Sequence, residues 1–227
     1  MLAADSRKLE KKIGYEFKDK ALLCQALTHS SFSNEQKINK YHNYERLEFL
    51  GDAVLELASS RFFFVNYPDM SEGEMTRRRS STVCEPALAF CAKDLNLGAY
   101  ILLGKGEEAT GGRGRDSIIS DVMEAIIGAI YLDSGFERAE KFIMDFILSD
   151  LENKQLFYDS KSILQERVQK TGGVVHYELV EETGPEHDKQ FVVRALINNR
   201  AVSTGIGRSK KAAEQQAAYE VLLKEEK

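Results

Sequence analysis

Glu45, Glu48 and Asp52 are spaced three and four residues apart, so on a helix turning about 100° per residue they share one face within roughly 60°. Carboxylates so placed repel one another and weaken the helix by roughly 0.3 kcal/mol per pair, a cost that a cation or a paired base relieves. Asp121 and Glu124 form a second acidic step beside Ala125, Gly128 and Ala129, small side chains that let another helix approach closely. Two acidic faces brought together would offer oxygen ligands only, which favours Mg²⁺ or Mn²⁺ over zinc. Such ions can activate a water and stabilise the leaving oxygen of a phosphodiester. A solvated acidic face is the plainer alternative for either set taken alone. A di-iron bundle needs Glu three residues before His, and none of His29, His42, His176 or His187 has one.

A second chemistry-bearing run is Gly205-Ile206-Gly207-Arg208-Ser209-Lys210-Lys211-Ala212-Ala213-Glu214. Glycines lead into a helix capped by Ser209, whose free N–H groups and dipole attract anions. Lys210 and Lys211 in the first turn oppose the usual preference for acids there, so an external anion, naturally a phosphate, would supply the balance. A solvated charge pair is the alternative. Arg77-Arg78-Arg79 and Arg113-Gly114-Arg115 are further basic clusters that suit either guidance of an anionic ligand or an ordinary surface.

The elements that position these groups divide at about residue 150. Before it, apolar residues recur at helical spacing, as in Leu47, Leu50, Val54 and Leu57, with Ile126, Ile127 and Ile130 in a later helix. Ser71 and Glu74 fit a capping box, Tyr67-Pro68-Asp69 and Asp133-Ser134-Gly135 mark helix ends, and Gly104 to Gly114 reads as a glycine-rich loop. After Lys154, Asp159-Ser160 start a helix through Leu164 and Val168 to Gly172-Gly173. Strands follow at Tyr177–Val180, Phe191–Val193 and Ala201–Val202, the last two joined at Asn198-Asn199, before an Ala-rich helix from Ser209. The expected fold is a mostly α, all-helical domain over residues 1–153, a linker at 154–158, and a small α+β domain of α-β-β-β-α order over 159–227.

Composition sets outer bounds. With 227 residues, 43% hydrophobic and 30% charged, the chain suits a soluble globular protein of one large or two modest domains. No apolar run reaches the ~20 residues of a membrane span, and the N-terminus lacks a secretory pattern, so a cytoplasmic location and no membrane partner are expected. Cys24, Cys84 and Cys91 form no CxxC pair and read as buried, reduced thiols. The net charge of −5 conceals an asymmetry: residues 154–227 carry 12 basic and 11 acidic side chains, the remainder 19 and 25. That balance is compatible with nucleic-acid binding without arguing for it.

The segment Glu45-Arg46-Leu47-Glu48-Phe49-Leu50-Gly51-Asp52-Ala53-Val54-Leu55 resembles the signature of the bacterial ribonuclease III family, and residues 117–128 resemble that family's second acidic helix. Residues from about 157 to 226 look like a double-stranded RNA-binding domain, so the likeness covers nearly the whole chain. Tyr44 stands where the family commonly has Asn, and Ser120 where Ala is common. The resemblance implies an endoribonuclease that hydrolyses both strands of duplex RNA, leaving staggered ends with 5′-phosphate and 3′-hydroxyl. It further implies roles in processing ribosomal, messenger and transfer RNA. Glu48, Asp52, Asp121 and Glu124 would be the catalytic and Mg²⁺-binding set, with Mn²⁺ a substitute, no organic cofactor, and Glu45 and Glu72 as peripheral acidic support. At the start of its helix, Glu72 has a second reading as a dipole partner.

Phe49 projects about 40° from Glu45, toward the acidic side, which leaves it either an intrachain packing residue or an interface anchor. The resemblance implies the latter, in a homodimer. In the RNA-binding domain it assigns RNA contacts to Gln165, Glu166, His187, Arg208, Ser209, Lys210 and Lys211, His187 having the alternative of an ordinary loop residue. That fold reads the shape of A-form RNA through 2′-hydroxyls and phosphates. The alternative function is a regulator that binds duplex RNA without cutting, which loss of one of the four carboxylates would signal; all four are present.

Overall fold

Between Ile118 and Ile130 almost every side chain is apolar, and a helix apolar all round has to be buried. The computed structural model, which describes residues 3–37, 39, 41–151, 159–184, 189–207 and 209–225, places this segment at the centre of the first of two units, Met1–Ser149 and Asp150–Lys227. The expected linker, residues 154–158, lies outside the described residues.

In the first unit the helices run α1 (Ala3–Ile13), α2 (Lys20–Ala26), α3 (Ser30–Glu35), α4 (Glu45–Asn66), α5 (Glu72–Thr82), α6 (Glu85–Asp94), α7 (Lys105–Ala109), α8 (Asp116–Ser134) and α9 (Phe136–Phe146). Ile118, Ile119, Val122, Met123, Ala125, Ile126, Ile127, Ala129 and Ile130 of α8 are all buried. Helix α4 lies along α8, and α6 and α9 cover other sides of it. The capping box at Ser71 and Glu74 opens α5 as the sequence suggests, with both reciprocal bonds made. Gly135, at φ +82°, carries the break between α8 and α9, a backbone conformation that suits a residue without Cβ.

Three sequence expectations need correction here. Leu57 is 58% exposed and Leu50 only half-buried; the inner face of α4 is Leu47, Gly51, Val54, Leu55 and Ala58. Leu57 lies about 80° round from Leu47, far enough to leave the core and join Phe49 and Phe64 on an outer face, where they are 81% and 73% exposed. The stretch from Gly104 to Gly114 is not simply a loop, because it holds α7 and a 3₁₀ turn at Gly112–Gly114. Arg113 ties that turn down, donating from Nη1 to the carbonyls of Gly98 (2.7 Å) and Ile101 (2.9 Å). Its Nε donates to Glu108 (2.8 Å), while Arg115 pairs with Glu107 at 2.5 Å. Of the cysteines only Cys91 is buried; Cys24 is exposed and Cys84 half-buried, all three as free thiols.

The second unit is α10 (Ser160–Lys170), β1 (Val175–Thr183), β2 (Gln190–Ile197), β3 (Arg200–Gly207) and α11 (Lys210–Glu225), the α-β-β-β-α order expected. The strands form one antiparallel sheet in the order β1-β2-β3. Asn198 and Asn199 both take positive φ, 49° and 63°, as a two-residue hairpin turn with matching twist requires. Leu164 and Val168 of α10 meet Ala195 of β2 and Ala217, Ala218, Val221 and Leu222 of α11 in one small core. The alanines let α11 lie close: a Cβ added to Gly205 would stand 2.2 Å from the carbonyl oxygen of Ala213.

Candidate active site

The carboxylates of α4 owe their position to a firmly held helix start. The Asn43 side-chain oxygen accepts the Glu45 N–H (3.2 Å), and the Tyr44 carbonyl accepts the N–H groups of Leu47 (2.8 Å) and Glu48 (2.9 Å). Tyr44 N–H in turn donates to the Thr28 carbonyl (2.9 Å), and the Gln25 amide donates to the Asn43 carbonyl (3.1 Å). The first turn, bearing Glu45 and Glu48, is thus tied to α2 and the segment after it.

Two glycines set the distance between the acidic rows. A Cβ built on Gly51 would sit 1.8 Å from the Glu124 carbonyl oxygen, and one on Gly128 would sit 2.2 Å from that of Leu47. Neither position tolerates any side chain, so the backbones of α4 and α8 touch at this crossing. Asp52 follows Gly51, Glu48 follows Leu47, and Glu124 is itself the residue whose carbonyl Gly51 meets, so these carboxylates lie along the same seam, with Asp121 one helical step before Glu124.

Their electrostatics report that proximity. Burial, then the charges of Asp52, Glu48 and Asp121, push Glu124 up to about 8. Burial, then Asp121, Glu45 and Asp52, push Glu48 up to about 7. Burial also raises Asp121, with Glu85 adding to it, while a hydrogen bond from Tyr44 and the charge of His29 work against the rise. Glu48, Asp52 and Asp121 all act on Glu124, and Asp52 and Asp121 act on Glu48, so the four constitute one negative field, with no Lys or Arg among the charges that shift Glu48, Asp121 and Glu124. Glu45 is exposed and acts on Glu48. Glu72 is exposed in the first turn of α5 and accepts a hydrogen bond from the Thr76 hydroxyl (3.0 Å); it is not among the charges that shift the quartet.

An all-oxygen set of clustered, half-buried carboxylates fits a hard divalent cation. Among the described residues, no three acidic, His or Cys side chains close into a ready-made cage around one point. The donors are therefore gathered along the seam, with their side chains not converged.

Tyr44, noted in the sequence only as a departure, turns out to belong to this neighbourhood. It is 5% exposed, and its hydroxyl donates to Asp121 Oδ2 at 3.3 Å. Burial and Asp121 together drive its own pKa far upward, so it stays a donor. Nothing in its spacing signalled this, since the partner lies in another helix. Gly51 was legible only as a letter of the signature.

In the second unit Ser209 caps α11, its hydroxyl accepting the Ala212 N–H (3.1 Å), and Lys210 and Lys211 are exposed in the first turn. Gln165 and Glu166 are exposed on α10. His187 and Arg208 lie outside the described residues. Of the basic clusters in the first unit, Arg79 pairs with Glu56 (2.8 Å) and Ser60 (2.8 Å) and Arg78 covers the Tyr67 ring (5.4 Å). With Arg113 and Arg115 also engaged, Arg77 is left as an exposed side chain of those clusters.

A helical unit with a seam of carboxylates, followed by a small α+β unit that presents lysines at a helix N-terminus, defines a nuclease joined to a duplex-RNA reader. The Ribonuclease-III-like family model matches residues 19–151, and the Double-stranded RNA binding motif model matches residues 160–225. Ribonuclease 3 of Bacillus cereus (strain G9842) is 49% identical over 218 residues, covering 95% of this chain and 89% of the relative; Ribonuclease 3 of Bacillus anthracis (strain A0248) matches to the same extent. Two structures of the nuclease domain of ribonuclease III from Campylobacter jejuni are 47% and 46% identical, with TM-scores of 0.58 and 0.59. They cover 62% and 65% of this chain, which spans 94% and 95% of theirs. The chain belongs to the ribonuclease III family, and with that membership it is an endoribonuclease specific for double-stranded RNA.

Proposed function

We propose that cleavage requires Mg²⁺, for which Mn²⁺ can substitute, held by Glu48, Asp52, Asp121 and Glu124, and that it leaves staggered ends with 5′-phosphate and 3′-hydroxyl. The observation that carries this reading is the main-chain contact at Gly51 and Gly128, which aligns the four carboxylates along one seam. When bound, a divalent cation supplies Lewis-acid stabilisation of the phosphodiester oxygens and lowers the pKa of a water. The protein's part is to hold and orient. Glu48 and Glu124, with their longer side chains, can turn toward a shared centre, while Asp52 and Asp121 are shorter and fixed by their helices. Protons on Glu48 and Glu124 must leave before these groups serve as ligands, so binding displaces protons. Glu45 adds negative potential at Glu48 from the periphery, while Glu72 complements the start of its own helix α5.

In the second unit Lys210 and Lys211 meet RNA phosphates, joined by Arg208 and the cap of Ser209, while Gln165, Glu166 and His187 reach minor-groove groups. The active form is a homodimer built on the outer face of α4. Its support is the row of exposed Phe49, Leu57 and Phe64, together with the region of the Campylobacter jejuni nuclease domain described as involved in dimer formation. Precursors of ribosomal and transfer RNA and structured messenger RNA are the proposed substrates. No helix among the described residues is long and apolar enough to cross a membrane; the cytoplasmic site is proposed from the likeness to bacterial Ribonuclease 3.

The test is cleavage of a labelled RNA duplex with Mg²⁺, with EDTA, and with Mg²⁺ plus the Glu124→Gln variant. Cutting only in the first tube, with duplex binding retained in all three, is the expected outcome. Equal cutting by the variant, or cutting undiminished in EDTA, would remove the carboxylate quartet from the mechanism.

A further inference from the structure

We propose that Tyr44 is a positioning residue for the metal site, holding Asp121 through its phenol hydroxyl so that one carboxylate oxygen stays aimed at the seam; this rests on the divalent-cation reading above. Three observations carry it. First, the hydroxyl donates to Asp121 Oδ2 at 3.3 Å, and among the described residues Asp121 is the only one of the four carboxylates that accepts a side-chain hydrogen bond. With Oδ2 engaged, Oδ1 is the oxygen left for another ligand. Second, the phenol cannot drift. Tyr44 is 5% exposed and its N–H is bonded to the Thr28 carbonyl (2.9 Å). Its ring lies 5.6 Å from that of His29, centroid to centroid. His29 is itself pinned, its Nδ1 accepting the Ser31 N–H (3.1 Å) and lying 2.7 Å from the Ser31 hydroxyl, which accepts the Gly104 N–H (2.9 Å).

Third, the contact joins the start of α4 to the second turn of α8 about two turns from the Gly51–Gly128 crossing. The main-chain contact fixes how far apart the helices are. The phenol–carboxylate bond fixes how the Asp121 side chain turns within that gap. A ligand oriented by an outer hydrogen bond binds metal more tightly because its orientation is already fixed, and loss of such a partner typically costs about 10–100-fold in affinity.

Tyr44→Phe removes only the hydroxyl and keeps the ring on His29. Mn²⁺ binding to the full-length, RNA-free protein is measured by the electron paramagnetic resonance of free Mn²⁺, alongside the Mg²⁺ concentration for half-maximal cleavage of a labelled duplex. The expected result is a Kd for Mn²⁺ raised about tenfold and a Mg²⁺ half-saturation shifted by a similar factor. The kcat at saturating Mg²⁺, the KM for RNA and the thermal midpoint should stay near their wild-type values. A purely structural tyrosine would move the midpoint and leave metal affinity alone, and that pattern overturns the proposal. So does unchanged Mn²⁺ affinity in the variant while the wild type binds Mn²⁺, a result that leaves the cation reading intact. Absence of Mn²⁺ binding by the wild type overturns both together.

Discussion

At the scale of single residues, the site is a balance between negative charge and incomplete hydration. Glu48 and Glu124 sit at about 7 and about 8 because burial and neighbouring carboxylates disfavour their charged forms. Raised acidic pKa values in the folded state mean that folding retains protons the unfolded chain has released. Their contribution to stability is therefore fully present below the ordinary glutamate range and is lost as pH rises toward 8. Metal-free protein should accordingly melt lower at pH 8.5 than at pH 5.5. Mg²⁺ should restore the midpoint far more at the higher pH, where it no longer competes with protons. Calorimetric melts with and without Mg²⁺ check both signs; a Mg²⁺ effect larger at pH 5.5 would contradict them. Much of the quartet was legible in the sequence, since residues at three- and four-residue spacing share a helix face whatever the surroundings. The role of Tyr44 was not, because it depends on Asp121, seventy-seven positions away.

At the scale of elements, α4 does three jobs on three faces. Leu47, Val54, Leu55 and Ala58 bury, Glu48 and Asp52 bear charge, and Phe49, Leu57 and Phe64 stay in solvent. Periodicity located the first two faces but assigned Leu57 to the core, since an exposed leucine and a buried one look alike in sequence. The short side chains at Ala125, Gly128 and Ala129 correctly signalled a close helix neighbour. Gly51 gave no such signal on its own, as a lone glycine in a helix reads equally as a weakness. Gly128→Ala tests the crossing. Its Cβ would fall 2.2 Å from a main-chain oxygen that has no side-chain freedom to yield, so the helices must part. A loss of about 1–3 kcal/mol is expected from urea unfolding, with cleavage reduced beyond what the unfolded fraction explains. Neutral stability would mean that the helices slide freely. Arg113 and Arg115, read as possible guides for RNA, illustrate the opposite limit, because only the fold reveals that Gly98, Ile101, Glu107 and Glu108 already occupy them.

At the scale of the whole molecule, the outer face of α4 is the proposed dimer surface. Large apolar side chains exposed in a row mark an association surface more often than they serve a monomer. Phe49→Ala should shift sedimentation toward the monomer while leaving the helical signal unchanged, and a dimer of undiminished stability would show that the phenylalanine is not an anchor. The two-unit plan was readable because composition and periodicity change together after residue 150. The small unit was especially transparent, its turns being written in Gly172 and the Asn198-Asn199 pair, where φ is positive. The 104–114 stretch was less so, for its 3₁₀ turn is tied by Arg113 to the carbonyls of Gly98 and Ile101 and the start of its short helix by the Lys105 N–H to Glu35, partners that local propensity does not reveal.

The contact between Gly51 and Gly128 has a consequence for how this enzyme can change over generations. Where two main chains touch, atomic radii set the closest approach, and no loss of volume elsewhere can bring them nearer. A methyl group gained or lost among the isoleucines of α8 would cost heat tolerance long before it altered the reach between Asp52 and Glu124. The interior can drift while the spacing of the acids stays as constant as a ruled line.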